Sequence, residues 1–262
     1  MVEFRYRPLS FIIGGIISSI SSLTAIFSYY STLTQHKIIM TDSPYYKDTG
    51  KIALASKISV QFRKKMFDKF MENIKPSRQH AVLDIGVTSD ASYQESNYFE
   101  RFYPYKDQIV CVGTEDGSHL EKKYPGIKFF QINPHEALPF KNNQFDIAFS
   151  NAVIEHVGSW EKQRAFLLEM LRVSRSFFIT TPNRWFPIEF HTAWPFIHLL
   201  PKKVYRNVLA AFGEAYWSKE ENLNLLSRRE LETLFPKEVN VTIDSVHLFG
   251  LSTNLIAYGK SH

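Results

Sequence analysis

Short apolar segments alternate with longer amphipathic ones over residues 81–181, and this alternation constrains the fold more than any other feature. The helix pattern is clearest at 160–173, where Leu167 and Met170 share one apolar face. The predicted strands are 81–86, 109–113, 128–132, 145–150 and 176–181. Strands that alternate with helices are typical of a parallel sheet covered on both faces, so we predict a doubly wound, Rossmann-like α/β fold.

The C-terminal part predicts one more helix and two more strands. Ser227 and Glu230 have the spacing of a capping box, which marks the beginning of a helix. The apolar segments at 239–248 and 253–259 are close enough in sequence to pair as an antiparallel hairpin. With the five strands before them, they predict a sheet of seven strands.

Composition and charge exclude several classes of protein. A hydrophobic share of 44% with 22% charged residues is ordinary for a globular chain. Cys111 is the single cysteine, which excludes an internal disulfide and a cysteine-rich zinc site, and we assign no metal ligands. The net charge of +5 permits attraction to an anionic membrane, but it is too weak and scattered to indicate a nucleic-acid partner.

The N-terminal segment is hydrophobic and uncharged over residues 8–35. That length exceeds the roughly 20 helical residues that cross a hydrocarbon core. Arg5 precedes the segment, and Tyr29 and Tyr30 close it as interfacial aromatic residues would. A helix buried against a partner membrane protein, or one lying in the interface, fits the same pattern. We therefore expect residues 1–35 to form a membrane anchor or a partner-binding helix.

Residues 36–79 predict a linker and an amphipathic helix ahead of a domain at 80–262. Apolar residues recur every fourth position and form one stripe on a helix. They are Ile58, Phe62, Met66, Phe70 and Ile74. The stripe either packs on the edge of the sheet or, with the neighbouring lysines and arginine, faces acidic lipid headgroups.

Residues 81–90 read AVLDIGVTSD, a buried strand that enters a tight turn at Gly86. In doubly wound sheets, nucleotide-like ligands sit at the carboxyl end of such a strand. This segment resembles the first motif of class I S-adenosylmethionine-dependent methyltransferases. The LPF run at 138–140, the FD pair at 145–146 and the EHV run at 155–157 are similar to small-molecule enzymes of the quinone-biosynthesis type.

The resemblance implies S-adenosyl-L-methionine as the cofactor and a set of residues that bind it. These residues are Asp84, Gly86, Thr88 and Ser89 for the methionine half, Glu115 (preferred over Asp116) for the ribose, Asn133 for the adenine, and Ser150 and Asn151 at the end of strand four. The family usually has two more glycines in the first loop, where Val87 to Asp90 stand here. Their side chains would crowd the cofactor, bond to its amino-acid end, or cap the next helix.

Three residues are candidates for catalysis. Glu189 and His191 lie in a loop stiffened by Pro182 and Pro187, where they could form a carboxylate–imidazole pair. His156, in the EHV run, could accept a proton at physiological pH or orient its loop by a hydrogen bond.

The insertion 183–226 is rich in aromatic residues and is expected to cover the acceptor. Its aromatic residues are Trp185, Phe186, Phe190, Trp194, Phe196, Tyr205, Phe212, Tyr216 and Trp217. They form a small core of their own, line an apolar pocket or contact a bilayer. We therefore expect a membrane-associated methyltransferase, with its catalytic domain on the cytoplasmic side, that methylates a small or lipid-linked acceptor at oxygen. The alternative, favoured by the missing glycines, is an inactive accessory subunit of a membrane complex.

Overall fold

The computed structural model describes residues 52–89, 96–192 and 194–262. The predicted N-terminal helix within residues 1–35 and Asp90 lie outside the described residues. Within the part of the chain that the structure describes, no helix combines the length and the apolar composition needed to cross a bilayer.

The seven strands form one mixed sheet in the order β3-β2-β1-β4-β5-β7-β6. They are β1 (Val82–Ile85), β2 (Ile109–Gly113), β3 (Lys128–Gln131), β4 (Phe145–Asn151), β5 (Ser174–Pro182), β6 (Val241–Leu248) and β7 (Leu251–Lys260). β1 to β5 pair in parallel with one another, whereas β7 pairs antiparallel with both β5 and β6. The predicted Rossmann-like sheet with its terminal hairpin is therefore confirmed.

Six α-helices accompany the sheet in the described residues. They are α1 (Ile52–Ile74), α2 (Tyr98–Phe102), α3 (His119–Lys123), α4 (Trp160–Val173), α5 (Lys202–Ala211) and α6 (Arg228–Leu234). The Ser159 hydroxyl accepts a hydrogen bond from the Lys162 amide at the start of α4. Ser227 and Glu230 form the predicted capping box at the start of α6.

Each face of the sheet has its own core. On one face α4 and α6 bury Leu167, Leu231 and Leu234 against the strands. On the other face the ring of Phe149 stacks on Phe99 of α2, with ring centroids 4.1 Å apart. Phe70 of α1 is fully buried in the same cluster, and Phe62, Met66 and Ile74 pack there too. From Phe62 onward the apolar stripe of α1 thus packs on the sheet, but on a face at β4 and β5 rather than on the predicted edge.

The two ends of the insertion between β5 and α6 are joined to each other. Asn183 and Leu226 form a β-bridge, and the Arg184 amide donates to the Leu226 carbonyl at 3.0 Å. Tyr205 and Trp217 are buried in a small core that belongs to this insertion. These two aromatic residues therefore have a packing role, whereas others in the insertion face solvent.

Candidate functional site

The carboxyl ends of β1, β2, β3 and β4 lie side by side at one edge of the sheet. Gly86, Glu115, Asn133 and Asn151 follow or end these strands, so the topology brings four predicted cofactor residues to the same edge. The first loop is tied to the next strand, because the Gly86 amide donates to the Val112 carbonyl at 2.8 Å.

The turn at Gly86 requires glycine for two reasons. Its φ of +97° lies in the left-handed region, and a Cβ at this position would lie 2.2 Å from Cγ2 of Val153. Val153 immediately precedes the 3-10 turn Ile154–His156. The close approach therefore joins the first loop to the turn that carries the EHV run.

The glycine-poor loop after Gly86 is held by packing on one side and by hydrogen bonds on the other. Val87 is buried with the core on the α1 and α2 face, where its side chain packs next to Gly113 at the end of β2. The Asn97 side chain accepts from the Thr88 amide at 2.9 Å and donates to the Thr88 carbonyl at 2.9 Å. Asn97 was not predicted as a site residue, although it positions a predicted one.

Two predicted cofactor residues are in direct contact. The Ser89 hydroxyl donates to a carboxylate oxygen of Glu115, whose side chain is exposed just beyond β2. A carboxylate in that place offers two acceptor oxygens to the two hydroxyls of a ribose. Asn133 is also exposed, just beyond β3, and donates to Glu136 at 3.0 Å. The polar groups that a nucleoside requires are thus accessible at this edge.

Asp84 and Ser150 have buried side chains. Burial, and then the neighbouring Glu100 carboxylate, raise the pKa of Asp84 well above its usual value. Cys111, a buried core thiol as expected, donates to the same Glu100 at 3.2 Å. The Ser150 hydroxyl donates to the Ile85 carbonyl at 3.0 Å. Both residues support strand ends from inside, and cofactor contact through their side chains stays a prediction.

Glu189 and His191 form the carboxylate–imidazole pair that the sequence predicts. Oε1 of Glu189 lies 2.6 Å from Nδ1 of His191 and accepts the His191 amide at 2.8 Å. Oε2 accepts the amide and the hydroxyl of Thr192 at 2.6 and 2.7 Å. Burial alone would raise the pKa of Glu189, but the charge of His191 and these hydrogen bonds lower it to about 2. Burial opposes the charge on His191, yet Glu189 raises its pKa above the usual value.

His156 lies against this pair. The rings of His156 and His191 are perpendicular, with centroids 4.7 Å apart, and Trp217 lies 4.9 Å from His191. Nδ1 of His156 contacts the Asn222 carbonyl at 2.7 Å. Burial, with the charge of His191, lowers the pKa of His156 to about 3. All three predicted catalytic residues are therefore in one cluster, covered by the insertion through Trp217 and Asn222.

Glu155 completes the cluster, and the sequence analysis did not select it. Its side chain is fully buried, and Oε2 accepts the Thr181 hydroxyl at 2.8 Å. Burial raises the pKa of Glu155 to about 7. One ligand atom each from Glu155, His156 and His191 lies within 4.8 Å of the other two. The signal that could have found Glu155 was its place beside His156 in the EHV run.

Comparisons with known proteins agree with the geometry. The sequence model of the family described as "Methyltransferase domain" matches residues 90–176. No curated protein sequence matches the chain. The structure is similar to the CurJ carbon methyltransferase, with a TM-score of 0.50 and 12% identity. The similarity covers 78% of this chain but only 53% of that protein.

Two other solved structures are similar at low sequence identity. The PH0226 protein from Pyrococcus horikoshii OT3 has a TM-score of 0.50 and 14% identity, with 75% of this chain and 88% of that chain covered. A SAM-dependent methyltransferase from Aquifex aeolicus has a TM-score of 0.46 and 13% identity, with coverage of 74% and 89%. S-adenosyl-L-methionine is the cofactor of this class of domain. By its sheet topology and the match over residues 90–176, the chain contains a methyltransferase domain with the fold of the class I S-adenosylmethionine-dependent enzymes.

Proposed function

We propose that the chain is an active methyltransferase that transfers a methyl group from S-adenosylmethionine to an oxygen atom of a small, apolar or lipid-linked acceptor at a membrane surface. The single observation that carries this proposal is the buried cluster of Glu189, His191 and His156 beside the cofactor edge. A fold kept only as a shell would gain little from this cluster, because even a paired buried charge is often no more stabilising than apolar side chains of similar size.

The cofactor side of the site is supported by accessible polar groups. Glu115 would accept the ribose hydroxyls, and Asn133 would bond to the adenine edge. The backbone at Gly86 permits close approach, while Asn97 fixes the loop at Thr88. When bound, S-adenosylmethionine supplies a methyl group on a sulfonium that is already reactive. The protein therefore needs mainly to position the acceptor and to exclude water.

The acceptor side is supported by the imidazole cluster. Glu189 fixes the ring of His191 through Nδ1, and Trp217 covers both imidazoles. The contact of Val153 with Gly86 keeps this cluster next to the first loop. An oxygen acceptor has to lose a proton as it is methylated, and an oriented imidazole cluster favours that loss. A thioether acceptor, which has no proton to lose, would give these groups no such task.

Apolar surface supports a lipid-like acceptor and contact with a membrane. Phe212 is 70% exposed in the insertion, where Trp185 and Phe190 are also exposed. Phe249, at the tip of the β6–β7 hairpin, is 96% exposed. Exposed aromatic residues of this kind are typical of interfaces with membranes or partner proteins. S-adenosylmethionine is made in the cytosol, so we place the catalytic domain on the cytoplasmic side, with the N-terminal segment as the anchor or the partner-binding helix.

A transfer assay tests the proposal. The full chain in mild detergent is incubated with S-adenosylmethionine labelled in the methyl group and with a total lipid extract of its own source. We expect label in a lipid-soluble product that mass spectrometry identifies as a methyl ether or ester, and we expect His191→Ala to abolish it. The exposed Glu232→Gln variant is the matched control and should retain activity. Cofactor binding without transfer to any lipid or small-molecule fraction would instead favour the accessory-subunit alternative.

A further inference from the structure

We propose that Glu155, His156 and His191 bind a divalent cation of the first transition row. One ligand atom from each residue lies within 4.8 Å of the other two. His156 and Glu155 belong to the turn after β4, whereas His191 belongs to the loop after β5. The fold thus brings two imidazoles and one carboxylate together from two loops at the same edge of the sheet.

Both imidazoles are oriented as metal-binding histidines are. Nδ1 of His156 must carry the proton, because its partner at 2.7 Å, the Asn222 carbonyl, can only accept. Nδ1 of His191 likewise donates to the Glu189 carboxylate at 2.6 Å. In the neutral form of each ring the lone pair is therefore on Nε2, and a cation would take the place of any proton that Nε2 carries. A histidine that donates its other N–H to a carbonyl or a carboxylate is the usual arrangement behind a metal ligand.

The third ligand is a buried carboxylate oxygen that lacks a partner. Oε2 of Glu155 accepts the Thr181 hydroxyl, but Oε1 has no hydrogen-bond partner among the described residues. The nearest ring nitrogen, Nε2 of His156, is 4.0 Å away, too far for a hydrogen bond. Buried polar atoms almost always have a hydrogen-bond or metal partner, so an unpaired carboxylate oxygen close to two imidazoles indicates a binding site for a further group. A cation between the three residues would satisfy it.

The donor set selects the kind of cation. Two imidazoles with one carboxylate suit Zn²⁺, Fe²⁺, Mn²⁺ or Co²⁺, whereas Ca²⁺ and Mg²⁺ prefer oxygen ligands alone. Neighbouring ligands about 2.0–2.2 Å from one ion are roughly 3.0–3.5 Å apart, so the longest separation in the cluster, at most 4.8 Å, would shorten by up to about 1.5 Å on binding. Three protein ligands leave at least one position open, which is typical of a catalytic site.

The consequence for the reaction rests on the proposed function. An acceptor hydroxyl in the open position would have its pKa lowered by the cation and would release its proton to water. His156 and His191 would then act as ligands of the cation, and neither would have to accept the acceptor's proton. Glu189 would be a positioning residue, since it acts on the cation only through His191.

Metal binding can be tested without any acceptor. The full chain, purified without a histidine tag and treated with a chelator, is titrated with Co²⁺ while visible absorption is recorded. Calorimetry with Zn²⁺ then gives the affinity and stoichiometry. The variants are His191→Ala and Glu155→Gln, and Gln keeps an oxygen for Thr181. His262→Ala, an exposed histidine at the C-terminus, is the matched control. Thermal unfolding and S-adenosylmethionine binding of each variant show whether it is folded.

We expect one Co²⁺ per chain, with absorption bands of a nitrogen- and oxygen-coordinated ion. His191→Ala and Glu155→Gln should weaken binding by at least about 100-fold, and Glu189→Gln by roughly 10–100-fold. Absence of binding at millimolar Co²⁺, or equal binding by wild type and folded variants, would overturn the proposal. If the chain binds S-adenosylmethionine but not Co²⁺, only the metal-site proposal is refuted. If it binds Co²⁺ but not S-adenosylmethionine, only the proposed methyltransferase function is refuted.

Discussion

Replacing Glu189 with Gln should destabilise the fold substantially, although it changes one atom and a charge. The Glu189 carboxylate accepts four hydrogen bonds, two on each oxygen, from the amides of His191 and Thr192, the His191 ring and the Thr192 hydroxyl. Gln keeps one acceptor oxygen, but its NH2 group replaces the other oxygen and meets two groups that also donate. The Thr192 hydroxyl or the ring can reorient, but at least one buried backbone N–H loses its acceptor. A buried unsatisfied donor costs about 1–3 kcal/mol, and charge-assisted bonds are lost as well. The expected loss is about 2–4 kcal/mol.

Urea unfolding of the full chain in mild detergent, followed by tryptophan fluorescence in chelator-treated buffer, measures this loss. Trp217 is a suitable probe because its ring lies 4.9 Å from the His191 ring. Glu232→Gln is the exposed control and should change the free energy of unfolding by less than about 0.5 kcal/mol. A Glu189→Gln variant as stable as this control would refute the hydrogen-bonded geometry on which the site depends.

The pH dependence of the same difference has a definite sign. The pKa of Glu189 is about 2 in the fold, against its ordinary value of 4.5. A depressed pKa contributes stability that is present above the unfolded value and is lost as the pH falls through the folded value. The difference in unfolding free energy between wild type and Glu189→Gln should therefore be largest between about pH 5 and 6 and should narrow below about pH 4.5. It should also narrow as the pH rises above 6.5, because the raised pKa of His191 depends on Glu189.

Three further predictions follow from the surrounding structure. Gly86→Ala should destabilise the chain by about 2–4 kcal/mol, because the new Cβ would clash with Val153 and the residue has a positive φ. In a double-mutant cycle, adding Val153→Ala should restore about 1 kcal/mol of the lost stability, whereas additive effects of the two substitutions would argue against that contact. Because the pKa of Asp84 is raised in the fold, the carboxyl group loses its proton at lower pH in the unfolded chain, and the free energy of unfolding should fall as the pH rises above about 4. Asp84→Asn should make the free energy of unfolding, measured in urea, depend less steeply on pH. An unchanged pH dependence would contradict the burial of the acid. Phe249→Ser should weaken binding of the full chain to anionic lipid vesicles in a flotation assay, whereas unchanged flotation would exclude the hairpin tip as a membrane contact.

The fold could be predicted because its signals are local. Strand positions followed from apolar runs between helices, and the start of α6 followed from Ser227 and Glu230, three residues apart. The Glu189–His191 pair was predicted for the same reason, since both groups lie in one short loop. The anchor hypothesis concerns residues 1–35, which lie outside the described residues, so it stays a prediction.

The rest of the site depends on contacts between distant segments. Glu155 bonds to Thr181, 26 residues away, and its second oxygen faces an imidazole from yet another loop. The first loop also depends on a residue from a different segment. Asn97, just before α2, holds the glycine-poor loop through two hydrogen bonds to the backbone of Thr88. The sequence also could not show that Glu100 would lie beside Asp84 under the sheet. Such pairings are set by tertiary packing, which residue type and spacing do not encode directly.

Calorimetric titration of the full chain with S-adenosylmethionine tests the central claim most directly. The account predicts one cofactor per chain, and it predicts that Glu115→Ala weakens binding by at least about tenfold, since two hydrogen bonds to an ionised carboxylate are lost. The exposed Glu232→Gln variant should bind as wild type does. No heat of binding at millimolar S-adenosylmethionine, from a chain whose fold is verified by circular dichroism, would contradict the account.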